Sequence, residues 1–394
     1  MEYLSVTLHK GKDSAIRRFH PWVFSGAIAH KQKGIKAGDI VQLLSSTKEI
    51  LGYGFYEEGS IAVKVISFDR PPHHTEFWID KIRAAWKVRQ MAGLTDSSVT
   101  NAYRLIFSEA DGIPGLIIDY YHGTAVFQAN SEGIYSVRQL IVDALRLVYG
   151  EELKAVYDKS ARTLLKQAGI QTTDSYLYGS GGSNEILEYG LKFSVDWVGG
   201  QKTGFFLDQR DNRSLLGSYA KGRDVLNTFC YTGGFSVYAL AGGARLVHSV
   251  DASAKAVEAC AQNLALNGFD LETNSCISTD ALPFLESIKD KYDLIVLDPP
   301  AFAKHAGQKH KALSAYRHIN RLAIENIRPN GIIFTFSCSQ VVDRFSFQGA
   351  IMAAAIESKR EVVILHSLTH PADHPQNIFH PEGEYLKGMV LLVK

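Results

Sequence analysis

The stretch "YDLIVLDPPAF", residues 292–302, is an apolar run that stops at Asp298, passes through two prolines and ends on an aromatic ring. Four large aliphatic residues in a row fit a strand buried on both faces, as in a parallel sheet covered by helices on each side. Pro299 and Pro300 donate no amide hydrogen, so the strand ends there in a stiff loop. The pattern recurs in "RDVLNTF" (223–229), "RLVHSVD" (245–251) and "GIIFTFSCS" (331–339). Helical spacing fills the intervals from Phe235 to Ala241, Ala254 to Asn267, about His310 to Ile327, and Phe345 to Ser358. Strands alternating with helices predict a doubly wound α/β domain, with its ligand at the carboxyl ends of the strands near the switch in strand order. "GLKFSVDW" (190–197) reads as a further strand at its start.

The turn after the first strand, "NTFCYTGGF" (227–235), lacks the G-x-G-x-x-G of a dinucleotide site, although Gly233 and Gly234 permit a tight turn. The second strand ends at Asp251, where an acid can accept bonds from ribose hydroxyls. The third ends in "STDAL" (278–282), where Asp280 can meet an adenine edge. Either acid alone could also be a helix cap. The chain closes with "EVVILHSL" and "KGMVLLVK", joined by a loop without an evident helix, so the last strand can pair antiparallel. That ending is typical of S-adenosylmethionine-dependent methyltransferases rather than dehydrogenases, and S-adenosylmethionine is the expected cofactor.

The rest of the 394 residues, 46% hydrophobic and 21% charged, has globular composition and length for two or three domains. No leader pattern and no uninterrupted apolar stretch of membrane-spanning length is evident, so a cytoplasmic protein without a membrane is expected. Four cysteines without a C-x-x-C pair predict neither a disulfide framework nor a metal site. Net charge is +1, yet residues 1–40 carry seven Lys or Arg against three acids. That segment also holds Arg17, Arg18, His20 and Trp22, cations and rings suited to phosphates and bases. Residues 1–70 have the short alternating runs of a small β-barrel, and "DRPPHH" (69–74) breaks the chain. A helix from 75 to about 92 and later strands make 73–185 a central α/β unit, with 186–394 the doubly wound domain.

"DPPAF" and "FTFSCSQ" (334–340) carry the chemistry. Asp298 is an acceptor at a strand end, and Phe302 beside Pro299 and Pro300 offers a face on which a base can stack. Cys338 is either a small core residue or a thiol at the end of the fifth strand. A helix expected soon after it would lower its pKa. Together with "GLKFSVDWVGGQKTGFFLDQRDNR" (190–213), "FCYTGGFSV" and "VDASAKAVEACAQN", these motifs closely resemble the bacterial large-subunit ribosomal RNA cytosine-C5 methyltransferase family over nearly the whole chain. The resemblance implies an N-terminal PUA RNA-binding domain, a central α/β domain and a C-terminal class I, Rossmann-like methyltransferase domain. It further implies that Phe205 and Phe206 pack over the cofactor, that Asp208 and Arg210 anchor its polar end, and that Tyr231, Thr232 and Gly233 line its amino-acid portion. By the same likeness Asp251 takes the ribose and Asp280 the adenine.

In that family the cysteine corresponding to Cys338 is the nucleophile: its thiolate adds to C6 of cytosine and makes C5 nucleophilic, while Asp298 bonds the ring N3 and amino edge. This chain departs from other RNA cytosine-C5 enzymes in having Pro300 where many carry a second cysteine that helps release product. Cys230, Cys260 and Cys276 read as packing residues. The rival readings are an RNA methyltransferase acting on a purine or an exocyclic amine, a non-catalytic RNA-binding or ribosome-assembly protein, and a small-molecule methyltransferase. Ribosomal RNA is the expected partner, and a homodimer is left open.

Overall fold

The computed structural model describes residues 3–72, 74–303 and 305–394. The boundary expected at 73 therefore begins outside the described residues. The chain divides into two compact units. One comprises 1–186, 195–207 and 372–383, and the other 187–194, 208–371 and 384–394.

In the first unit, β1 (Ser5–Leu8), β2 (Trp22–Phe24), β3 (Ile28–Lys31), β4 (Ile40–Leu44), β5 (Ile50–Tyr56) and β6 (Ile61–Ser67) form a six-stranded sheet in the order β2-β6-β5-β4-β1-β3. Along β4, Val41 and Leu43 are buried while their neighbours are partly exposed, the period of two expected of a strand with one covered face. The short α1 (Ser14–Arg17) lies between β1 and β2. The proline break is followed by α2 (Thr75–Met91), which ends near Gly93. Its buried Phe77, Trp78, Ile82 and Ala85 pack on a five-stranded sheet in the order β11-β10-β9-β8-β7. Those strands are β7 (Ala102–Phe107), β8 (Leu116–Tyr121), β9 (Thr124–Ala129), β10 (Ala155–Asp158) and β11 (Ser175–Tyr178). The intervening helices are α3 (Glu132–Ser136), α4 (Arg138–Tyr149) and α5 (Ala161–Ala168).

The stretch 190–197 is a strand only in part. β13 (Leu191–Ser194) joins β12 (Glu185–Glu188) in a two-stranded sheet and does not enter the main one. Asp196 ends the extended run because its carboxylate accepts the Gly199 amide at 2.7 Å and its carbonyl accepts that of Gly200 at 2.9 Å, which closes a turn.

The second unit is the doubly wound domain. Its seven strands are β14 (Asp224–Thr228), β15 (Leu246–Asp251), β16 (Cys276–Ser278), β17 (Leu294–Leu297), β18 (Gly331–Ser337), β19 (Val362–Leu368) and β20 (Lys387–Val393), in the order β16-β15-β14-β17-β18-β20-β19. Every pairing from β16 to β18 is parallel, and β20 runs antiparallel to both β18 and β19. The helices are α6 (Arg210–Tyr219), α7 (Gly234–Ala241), α8 (Ala254–Leu266), α9 (Ala281–Glu286), α10 (Lys309–Asn326) and α11 (Arg344–Glu357). The aliphatic run of β17 shows why both faces must be apolar. Ile295 and Leu297 join the core under α10 and α11, while Leu294 and Val296 join the one under α6 and α7. Strand order reverses between β14 and β17, so the crevice for a ligand opens at their carboxyl ends.

Candidate active site

Five loops leave the carboxyl ends of the parallel strands in the second unit, and at or just after each strand end stands a residue nominated from the sequence. The loop after β14 is held in an unusual conformation, since Phe229 and Tyr231 have φ of 56° and 47°, a region side chains rarely adopt. Among the bonds that hold it there, the Tyr231 amide donates to Asp251 Oδ2 at 3.0 Å, and Asn263 donates to the Thr232 carbonyl at 2.8 Å. Gly233 follows with φ of 79°, and a Cβ on it would lie 2.5 Å from the Cys260 sulfur. The glycine is thus required by the approach of α8, a reason the turn pattern alone did not reveal.

Asp251, at the end of β15, also accepts the Ser253 amide at 2.9 Å through Oδ1. Each carboxylate oxygen still has a lone pair to offer, the pair of acceptors that the hydroxyls of a ribose diol can donate to. Asp280 caps α9 by accepting the Leu282 amide at 3.0 Å and is exposed, so the capping alternative is realised while one oxygen can still accept. Asp208 is buried and accepts from the Tyr385 hydroxyl at 2.5 Å. Arg210 is 1% exposed and pairs with Glu188 at 3.6 Å. Arg213 grips the same carboxylate with two bonds, at 2.8 and 2.7 Å. Arg210 therefore has a fold-holding contact in addition to the anchoring role expected of it. Phe205 and Phe206 fall in the first unit. There the Phe205 carbonyl accepts from Tyr121 at 3.3 Å, and the Lys202 ammonium stands 5.0 Å from the Phe206 ring.

The loop after β17 contains Asp298, Pro299, Pro300 and Phe302. Gln209 donates to Asp298 Oδ2 at 3.1 Å, a partner the sequence reading passed over although it lies inside "FLDQR". Pro299 is buried and Pro300 exposed. Phe302 packs edge-on against Tyr316 of α10 at 4.8 Å. Cys338, just after β18, is partly exposed, and its sulfur lies 4.0 Å from the Pro299 carbonyl oxygen. The fold thus brings together the two motifs that the sequence separates by forty residues.

One expectation about Cys338 needs correction. The thiol is not at the N-terminus of a helix, because α11 begins at Arg344 and Asp343 already caps it by accepting the Ser346 amide at 2.8 Å. The dipole effect fades beyond the first turn, so it does not account for a reactive thiol. Cys230 and Cys260 are buried as expected, whereas Cys276 is partly exposed, with its sulfur 3.6 Å from that of Cys260. Contact with Cys230, and after it burial, push the Cys260 thiol up, and contact with Cys260 pushes that of Cys276 up.

The residues nominated for RNA lie in the first unit. Arg17 pairs with Asp13 at 2.7 Å and with Glu49, while Arg18 is exposed. His20 accepts the Trp22 amide at 3.2 Å, and the Trp22 indole donates to Glu109 at 2.9 Å.

Comparison with known proteins fits this geometry. Residues 158–375, more than half of the chain, match the model of an S-adenosylmethionine-dependent methyltransferase, and residues 6–68 match a PUA-like domain. The chain belongs to the S-adenosylmethionine-dependent methyltransferases. It is 38% identical to Ribosomal RNA large subunit methyltransferase I of Aeromonas hydrophila, with 98% of each chain covered, and 37% identical to the protein of that name from Photobacterium profundum, with 99% covered. Among solved structures it resembles SMU.776, described as a candidate methyltransferase complexed with SAH, at 25% identity and a TM-score of 0.84 over the full length of both. A Streptococcus mutans protein solved at 24% identity, also with a TM-score of 0.84, has the same fold. As a member of this methyltransferase family, the protein takes S-adenosylmethionine as cofactor. Among the described residues no helix is long and apolar enough to cross a membrane.

Proposed function

We propose that this methyltransferase modifies C5 of a cytosine in large-subunit ribosomal RNA through a covalent adduct between Cys338 and C6. The carrying observation is the 4.0 Å separation of the Cys338 sulfur from the Pro299 carbonyl, which sets the thiol beside the Asp298–Pro300 loop. The names of its curated relatives support ribosomal RNA as substrate. The PUA-like domain and the exposed Arg18 support binding to RNA.

Bound S-adenosylmethionine supplies an electrophilic methyl group. In this reading Asp251 and Asp280 hold its nucleoside, Tyr231, Thr232 and Gly233 line its amino-acid end, and Asp208 and Arg210 anchor its polar end. The chain's own chemistry is addition and release. The Cys338 thiolate forms a bond to C6, and the ring electrons move so that C5 becomes nucleophilic. Asp298 bonds N3 and the amino edge and stabilises the proton the ring gains there. Once C5 carries the methyl group, its proton passes to a base in solvent, which re-forms the C5–C6 double bond and expels the thiolate. Pro300 and Phe302 flank the base, which must leave any stack to reach the loop. Arg17, Arg18, His20 and Trp22 are proposed to engage the RNA outside the pocket.

The test is large-subunit RNA transcribed with 5-fluorocytidine, in which fluorine blocks the final elimination. With cofactor present, the wild-type protein should yield a denaturant-resistant adduct that maps to Cys338, and Cys338→Ala should yield neither adduct nor 5-methylcytosine. Full activity in Cys338→Ala would move the enzyme to the purine or exocyclic-amine class.

A further inference from the structure

Lys387 opens the last strand, "KGMVLLVK", where the alternation of the sequence gives no reason to bury a cation. It is nevertheless 2% exposed. The antiparallel register sets Lys387 opposite Ser337, the residue before Cys338. Its ammonium donates to the carbonyl of Ser339, the residue after Cys338, at 2.8 Å. One lysine therefore grips the backbone on both sides of the proposed nucleophile. Burying an ammonium with so few acceptors is costly unless a negative charge is near it.

The charged groups around Lys387 come from three elements. Glu384 precedes β20, Asp343 and Cys338 lie in the loop between β18 and α11, and Arg344 begins α11. Glu384 and Arg344 pair with each other at 3.1 Å, and Asp343 pairs with Lys309 of α10 at 2.7 Å. Tyr316, which shares a 3.1 Å bond with the Ser339 hydroxyl, also borders the thiol, and burial pushes its own pKa up. Each carboxylate has a cationic partner of its own, and after Glu384 the thiol is the negative group that acts most on the ammonium.

We infer that Lys387 is the positioning residue for Cys338: it fixes the loop through the Ser339 carbonyl and supplies the positive charge that favours the thiolate, in place of a helix terminus. The thiol proton passes to solvent, and the sulfur keeps the electron pair it later donates to C6. Burial pushes the Lys387 pKa down to about 8, and Glu384 and Cys338 oppose that shift. The ammonium is therefore present at neutral pH and is lost as pH rises through that value. The inference rests on Cys338 being the nucleophile, but its test needs neither RNA nor cofactor.

The full chain is alkylated with iodoacetamide across a pH series, and the rate at Cys338 is read from its digested peptide by mass spectrometry. Lys387→Met should move the midpoint of the Cys338 profile upward by about one pH unit, the scale expected of an opposite charge at short range. Lys387→Arg, which keeps the charge, should stay near wild type, and the profile at the partly exposed Cys276 should not move in either variant. An unchanged midpoint in Lys387→Met overturns the inference. So does an equal shift in Lys387→Arg, which would mean that packing and not charge sets the thiol. A shifted profile in a protein that forms no fluorocytidine adduct would uphold the coupling while ending the nucleophile reading.

Discussion

Gln209 donates its amide to Asp298 at 3.1 Å and accepts from Asn212 through its own oxygen at 2.7 Å. Both are buried members of the segment that starts α6, so the rotation of the Asp298 carboxylate is set by a helix remote in sequence. The orientation of the Gln209 amide follows from its partners, because a carboxylate can only accept.

Gln209→Ala should lower kcat/KM by about tenfold or somewhat more, the loss of one hydrogen bond to a charged group, with cofactor affinity little changed. Gln209→Glu should cost more at neutral pH and recover partly in acid, since a second carboxylate repels Asp298 until one of the two protonates. Methylation rates between pH 5 and pH 8 decide this, and equal losses at both ends would refute it.

Asp251→Ala should weaken S-adenosylmethionine binding by about ten- to a hundredfold, as charge-assisted bonds to the ribose are lost together with the bond holding the Tyr231 amide. Calorimetry on the purified chain measures the change. Binding as tight as wild type would remove Asp251 from the cofactor site.

Gly233→Ala should destabilise the protein by about 1–3 kcal/mol. The new Cβ meets the Cys260 sulfur at 2.5 Å, and φ of 79° is unfavourable for alanine. Adding Cys260→Ala should recover only the part of the overpacking due to the sulfur, because the Cα and Cβ of residue 260 still lie 3.2 Å away, and should leave the backbone part. Urea unfolding of the two variants separates them, and a single variant with unchanged midpoint would contradict the geometry.

Arg17 and Arg18 should differ in their effect on RNA binding. Arg17 is held by Asp13 and Glu49, whereas Arg18 is exposed with no ion pair among the described residues. Arg18→Gln should reduce the slope of log K against log salt by about 0.7–0.9, the release expected for one phosphate contact, and Arg17→Gln by less. Equal slopes in both variants and the wild type would place the RNA elsewhere.

The amino-acid sequence by itself determined the class of the second unit. Uniformly apolar runs such as Leu294–Leu297 must be covered on both faces, which forces parallel strands between two helical layers. An acid or a proline at the end of a strand marks where a loop begins, so Asp251, Asp280 and Asp298 could be nominated without coordinates. Only the tertiary structure decided what those residues touch. Nothing local distinguishes Gly233 as a turn glycine from Gly233 as the point where α8 presses on the loop. Spacing put the helix after β18 at Phe345, well past Cys338, but that Asp343 is the group capping it became clear only in the folded chain, because helix starts depend on which cap wins. Lys387 was invisible for the same reason: strand alternation reports which face a side chain takes, whereas the cost and use of a buried charge depend on partners from β18, the loop after it and α11. Periodicity is a property of neighbours along the chain, and chemistry at this site is a property of neighbours across it.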